Sequence, residues 1–236
     1  MSKYRIADIL VEMTPKYPKT IHQSEEYKVL DNSEPDLTIM FDDEFIKARQ
    51  RENPHLSLED CEYIWYGSEF YEFLPLMDGM LLHSSAVVYN DEGFLFSAPS
   101  GTGKSTHTQL WLKRFKGAYI LNDDKPAIKL TDKGVYIYGT PFSGKTDLNV
   151  NRKVPLKGIC MLERGEENHI ERASTEEALF GILNQTIRPE NEDRMDKLLT
   201  VLDKIIKNVP VYKLTCNMEL EAAEVSYNGM SSDLNK

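Results

Sequence analysis

The sequence predicts an α/β fold, and three observations carry that prediction. Short β-type apolar runs alternate with segments of helical periodicity along most of the chain. The run Ser97-Ala98-Pro99-Ser100-Gly101-Thr102-Gly103-Lys104-Ser105-Thr106 ends one such strand and opens a helix, the placement a phosphate-binding loop needs. The 236 residues, 41% hydrophobic and 28% charged, suffice for one large domain with a smaller N-terminal piece.

Taken in order, residues 4–11 and 20–30 read as strands around the turn Thr14-Pro15-Lys16-Tyr17-Pro18, and 37–41 as another short strand. Residues 44–51 and 57–64 read as helical, the second opened by the capping-box pattern Ser57-Leu58-Glu59-Asp60. The aromatics that follow (Tyr63, Trp65, Tyr66, Phe70, Tyr71, Phe73) fit core and interface packing better than a ligand-stacking platform. This divides the chain into a β/α segment over 1–75, the candidate for acceptor recognition, and a core over 76–236. In the core, 87–89 and 93–97 pair around Asn90-Asp91-Glu92, and 106–115 is a helix with Leu110, Trp111 and Phe115 apolar. Residues 118–121 form a strand ending in Asn122-Asp123-Asp124, and 127–130 and 134–138 a hairpin. A polar loop runs from Pro141 to Arg152, followed by a strand over 156–162. A helix over 175–187 stops at Arg188-Pro189. The helix over 193–208 turns Met195, Leu198, Leu199, Leu202, Ile205 and Ile206 to the core. A strand over 211–214 and a helix over 219–227 complete the chain.

Charge and cysteine content exclude several function classes. The net charge of −10 argues against a non-specific nucleic-acid binder, which needs clustered Lys and Arg to neutralise phosphates. Three separated cysteines, Cys61, Cys160 and Cys216, show no metal-ligand spacing and no disulfide framework. With no signal-like start and no apolar run of membrane-spanning length, a cytoplasmic protein without membrane association is expected. A homo-oligomer is left open.

The loop matches G-x-x-x-x-G-K-[ST] except that Ala98 stands at the first glycine position. Its backbone amides and the following helix N-terminus suit phosphate oxygens. In this pattern Lys104 reaches the β- and γ-phosphates and the Ser105 hydroxyl sits on Mg²⁺. Pro99, Ser100, Gly101, Thr102, Gly103, Lys104, Ser105 and Thr106 are therefore the candidate donor-binding residues. Asp123 and Asp124 end the next strand, where ligands of an open α/β sheet bind. One can hold Mg²⁺ together with Ser105, and the other can take a proton from an acceptor hydroxyl. The same Asn-Asp-Asp-Lys-Pro run also suits a plain turn. Lys145 and Arg152 are candidate cations for the transferring group, or else solvated surface charge.

Together, His83, residues 97–106 and Asn122-Asp123-Asp124 resemble the nucleotide-binding core of the HPr kinase/phosphorylase family, and the related loop of ATP-dependent phosphoenolpyruvate carboxykinases. The match covers roughly residues 80 to 165 and is similar to that of small bacterial HPr-kinase-like proteins of undefined substrate. The resemblance implies a mixed-sheet P-loop core and a kinase using ATP, or pyrophosphate, with Mg²⁺. It implies a serine acceptor on a protein or peptide, or free serine, with one of Asp123 and Asp124 as base and His83 near the phosphates or metal. The HPr kinase segment after the Asp-Asp pair has no counterpart here; Tyr138-Gly139-Thr140-Pro141-Phe142-Ser143-Gly144-Lys145 stands in its place. A nucleotide-sensing module without transfer is the competing reading, and carboxykinase chemistry is disfavoured by length.

Overall fold

The computed structural model describes residues 2–232, so the end of the expected core at 233–236 lies outside the described residues. A four-stranded sheet opens the chain. β1 (Ser2–Ile6) and β2 (Ile9–Met13) pair antiparallel across Ala7-Asp8, both at positive φ (52° and 61°). That two-residue geometry matches the twist of the strands it joins. The single strand expected over 4–11 is thus a hairpin, and Ala-Asp lacks the Asn-Gly signature that marks such turns. The strand expected over 20–30 is also corrected. Pro18 opens the helix α1 (Pro18–Ser24), where its fixed φ suits the first turn, and only β3 (Lys28–Val29) is extended. β4 (Leu37–Ile39) joins β2 in parallel, giving the order β3-β1-β2-β4.

One helix, α3 (Leu58–Phe73), covers this sheet, and another, α2 (Asp43–Glu52), packs against α3. α2 and α3 are capped by Asp42 and Ser57, which accept from the amides of Phe45 and Asp60. α3 runs well beyond residue 64 and carries Tyr63, Tyr66, Phe70 and Tyr71 into a core shared with Ile6, Val11 and Ile39. Phe142, from the later polar loop, is fully buried in the same core. The N-terminal segment is therefore packed directly onto the loop that borders the candidate site.

The rest of the chain builds a second sheet. β5 (Gly79–Leu81), β6 (Ser84–Tyr89) and β7 (Glu92–Ser97) lead into α4 (Lys104–Arg114). β8 (Tyr119–Asp124), β9 (Ala127–Thr131) and β10 (Gly134–Tyr138) lead into the long β11 (Lys153–Arg164). β12 (His169–Arg172), α5 (Thr175–Leu183), α6 (Glu192–Asn208), β13 (Val211–Cys216) and α7 (Glu221–Ser232) follow. Strand order is β5-β9-β10-β11-β7-β6-β8, with β13 also on β11 and β12 on β13. The sheet is mixed: β11 pairs in parallel with β7 and β13, and the remaining pairings are antiparallel.

Alternation along the strands builds a layer on each face. Ala86, Val88, Leu95, Leu121, Ile159 and Val211 pack under α5 and α6, whereas Val87, Phe94, Phe96, Ile120, Cys160 and Leu214 pack under α4 and α7. α6 buries Leu198, Val201, Leu202 and Ile205, but Leu199 is 41% exposed, off the core face. α5 ends at Leu183, short of the expected 187. Among the described residues no helix is long and apolar enough to cross a membrane, and the three cysteines are free.

Candidate active site

The tight turn Asn90-Asp91 (φ 52° and 59°) sends β7 back beside β6, so its C-terminal end delivers the loop 98–103 to the N-terminus of α4. Within the loop only Gly101 and Gly103 take positive φ, 79° and 127°, and a side chain there would be strained. Ala98 does not, so the pattern's first glycine has no conformational duty here, and the Ala98 methyl joins the α4 core instead. Lys104 is 9% exposed, and its ammonium donates to the Ala98 carbonyl at 2.9 Å, spanning the loop. Burial pulls the Lys104 pKa down, against the opposing pull of Asp124 and Asp123.

The loop faces a cleft of about 820 Å³. Ser100, Gly101, Gly103, Lys104, Ser105 and Thr106 line it on one side, and His83, Asp123, Asp124 and Lys145 on others. Pro99 and Thr102 do not line this cleft. The Thr102 amide donates to the Pro99 carbonyl at 3.2 Å, so that donor serves the loop itself. Arg152 lies outside it as well, its guanidinium 5.9 Å over the Tyr119 ring, which corrects its placement beside a transferring group. Of the two expected cations, Lys145 alone lines the cleft.

The two aspartates have separate partners. The Ser105 hydroxyl donates to both Asp123 carboxylate oxygens, at 3.0 and 3.1 Å. Asp124 instead receives His83 Nε2 at 3.0 Å on one oxygen and Lys125 Nζ at 2.6 Å on the other. Burial alone pushes the Asp124 carboxyl up, but the His83 hydrogen bond and the Lys125 charge outweigh it and hold the pKa well below the usual carboxylate range. Asp124 also sits at φ 129°, strained for a residue with a side chain. The β6–β8 register, with Ser84 opposite Asp124, sets His83 next to that carboxylate.

Residues outside any motif complete the site. Gln185, just after α5, accepts the His83 amide on its carbonyl at 2.7 Å and contacts His83 Nδ1 with its side-chain oxygen at 3.0 Å. Lys125 is signalled only by its place after the Asp pair, and Gln185 by nothing local. Lys19, Asp60 and Tyr63 bring the N-terminal segment into the cleft, with His55 and Ile64 beside them. The Tyr63 hydroxyl accepts the Ser143 amide at 2.7 Å and donates to the Pro141 carbonyl at 3.1 Å, tying α3 to the polar loop. Gly144 is required there because a Cβ would lie 2.7 Å from the Asp124 carboxylate. Asn122 is fully buried and braces the loop through Thr140 and the Lys125 amide, which makes it a structural residue.

The donor set suits Mg²⁺ with a polyphosphate. A hydroxyl and a carboxylate, both hard oxygen donors, converge beside the helix N-terminus. Among the described residues no group of three or more His, Cys, Asp or Glu side chains is arranged to hold a metal, and Mg²⁺ commonly completes its shell with water and substrate phosphates.

The family model of the SynChlorMet cassette protein ScmC matches residues 58–224. The chain belongs to the ScmC family. The match takes in α3, the glycine loop 98–103, the Asp pair and the first turn of α7. Among solved structures, the Hpr(Ser) kinase/phosphatase from Coxiella burnetii is similar at 15% identity and a TM-score of 0.39, over 66% of this chain and 99% of that one. No curated protein matches this member of the ScmC family.

Proposed function

We propose that this protein is a Mg²⁺-dependent phosphotransferase of the HPr-kinase-like type. It moves the γ-phosphoryl of ATP, or a phosphoryl of pyrophosphate, to a hydroxyl acceptor: a serine of a protein or peptide, or free serine. One observation carries the reading: the loop lysine, the Ser105–Asp123 pair and the His83–Asp124–Lys125 group line a single cleft. A bare phosphate-binding module has no need of the last group.

The roles divide by partner. Ser105 and Asp123 hold Mg²⁺, which neutralises phosphate charge when bound with the donor. Lys104 and the free amides at the start of α4 bind the phosphate oxygens. Asp124 orients the acceptor hydroxyl. Each of its oxygens keeps a lone pair beyond the His83 or Lys125 contact, so it can accept the acceptor's hydrogen bond without losing either. As the acceptor oxygen bonds to phosphorus, the bridging P–O bond breaks with its electron pair leaving on the departing phosphate. The acceptor proton passes to Asp124. A carboxylate held this acidic is a weak base, which suits phosphoryl transfer through a loose transition state where the proton leaves late. The N-terminal segment, through Lys19, Asp60 and Tyr63, supplies the acceptor wall.

Transfer of labelled phosphate from ATP into a cell extract tests this reading and reveals the acceptor class. Lys104→Ala abolishes labelling, and Asp124→Asn lowers the rate about 100-fold or more while retaining nucleotide binding. Undiminished transfer by Lys104→Ala would overturn the assignment.

A further inference from the structure

A second cleft, of about 350 Å³, lies on the other flank of the phosphate loop. Gly103 and Thr106 line both clefts, so the two meet over the first turn of α4. Their characters differ. The first is rich in lysine and aspartate, whereas Leu110, Leu162 and Met218 form apolar walls in the second. Its volume falls within the range of small-ligand pockets, which are mostly apolar with a few polar groups. Met218, at the rim after β13, is 77% exposed and free to pack against a ligand in the slot. Arg164, at the end of β11, borders the slot and donates to the Gly101 carbonyl and, at 2.9 Å, to the Thr102 carbonyl. That contact holds the outer carbonyls of the loop toward the slot, leaving it continuous with the phosphate-binding turn.

We propose that this slot binds the base and sugar of a nucleoside triphosphate donor. The inference rests on the phosphotransferase reading and sharpens it, since it selects a nucleoside triphosphate over inorganic pyrophosphate. Pyrophosphate is charged throughout and gains nothing from apolar walls. A nucleoside joined through its α-phosphate crosses from the polar cleft over Gly103 and Thr106 and presents a flat apolar face to Leu110, Leu162 and Met218. Burial of Met218 under the base then removes its exposure.

Cys216 makes occupancy measurable. It lines the slot and is half-buried, while Cys61 and Cys160 are both fully buried. Burial pushes the Cys216 thiol up, so alkylation by N-ethylmaleimide is slow and is scored as a rate, with Cys216→Ser as the blank. With Mg²⁺ present, ATP at ten times its Kd slows Cys216 alkylation about tenfold, and tripolyphosphate at ten times its own Kd leaves the rate unchanged. Met218→Ala weakens ATP binding about fivefold through lost apolar contact, with tripolyphosphate binding unaltered. Equal protection by the two ligands, or equal loss of both in Met218→Ala, overturns the slot assignment and leaves the phosphotransferase reading standing. Failure of both ligands to bind overturns the two together.

Discussion

Asp124 concentrates the unusual chemistry of this protein in one residue. It is a carboxylate at positive φ, clamped between an imidazole and an ammonium, with Gly144 pressed against it. Strain of this kind persists only where the surroundings over-determine it, and here Asn122, Tyr71 and Thr140 all bond the backbone of the next residue, Lys125. Gly144→Ala is expected to displace the carboxylate, because the new methyl would sit 2.7 Å from Asp124 Oδ2 and the position is left-handed at φ 72°. A steady-state assay should show a fall in kcat with little change in nucleotide Kd, and an added backbone cost of about 1 kcal/mol should appear in denaturant melts. Of the residues around Asp124, His83 is visible in sequence only because it stands shortly before a recognisable loop. Gln185 is not visible at all: a glutamine after a helix has no pattern that assigns it to an imidazole 102 residues away.

Among the elements, α3 and the loop after β10 illustrate how a local pattern gains its meaning. The capping pattern at Ser57 marks where α3 starts, because an N-cap is a contact within one turn. Where α3 stops, and that Tyr63 reaches the polar loop, depends on a partner 80 residues on. Tyr63→Phe should cost about 1–3 kcal/mol, since it removes a buried hydroxyl that serves both the Ser143 amide and the Pro141 carbonyl. Hydrogen exchange should rise at Ser143 and its neighbours with α4 unchanged; an unaltered loop would show that α3 does not hold it. On the opposite face, Leu202 is fully buried in the α6 layer, so Leu202→Ala should cost about 2–5 kcal/mol in urea denaturation. Leu199, on the same helical period but 41% exposed, should cost far less. The N-terminal hairpin lacks a local signal for the reverse reason: Ala7 and Asp8 adopt the turn without the residue types that favour it.

For the molecule as a whole, a buried histidine sets a pH limit. His107 on α4 is 2% exposed, packs 4.6 Å from the Phe96 ring, and meets Ser226 of α7 and Cys216 at the end of β13. Trp111 Nε1 donates to Ser226 Oγ at 2.9 Å and lies 3.3 Å from His107 Nε2. Burial pulls the His107 pKa down from 6.5 to about 4. Its folded pKa is depressed, so between those values the unfolded chain takes up a proton that the folded protein excludes. Stability is therefore expected to be full well above pH 6.5 and to fall as pH drops toward 4, by about 3 kcal/mol across the window. Denaturation free energies at pH 7 and pH 5 should show the loss in the wild type, and a shallower slope in His107→Gln. An identical slope in the variant would assign the effect to other groups.

The glycine loop before α4 and the helix itself are legible from residue order because everything that defines them is local. Glycine conformations, successive backbone amides and a helix N-terminus lie within ten residues of one another. The same holds for the strands flanking the loop and for the long amphipathic helix near the C-terminus, whose period is written into consecutive positions. The pairing of Asp123 with Ser105 and of Asp124 with His83 and Lys125 is of another kind. Adjacent residues in a strand point to opposite faces, so two aspartates in a row acquire different partners only once β8 pairs with β6 and the polar loop closes over them. Tertiary packing decides the rest: it sets Arg152 over the Tyr119 ring outside the cleft, buries Asn122 within the fold and leaves the slot beside α4. Those outcomes depend on which distant segments share a surface, and no stretch of the chain contains that information alone.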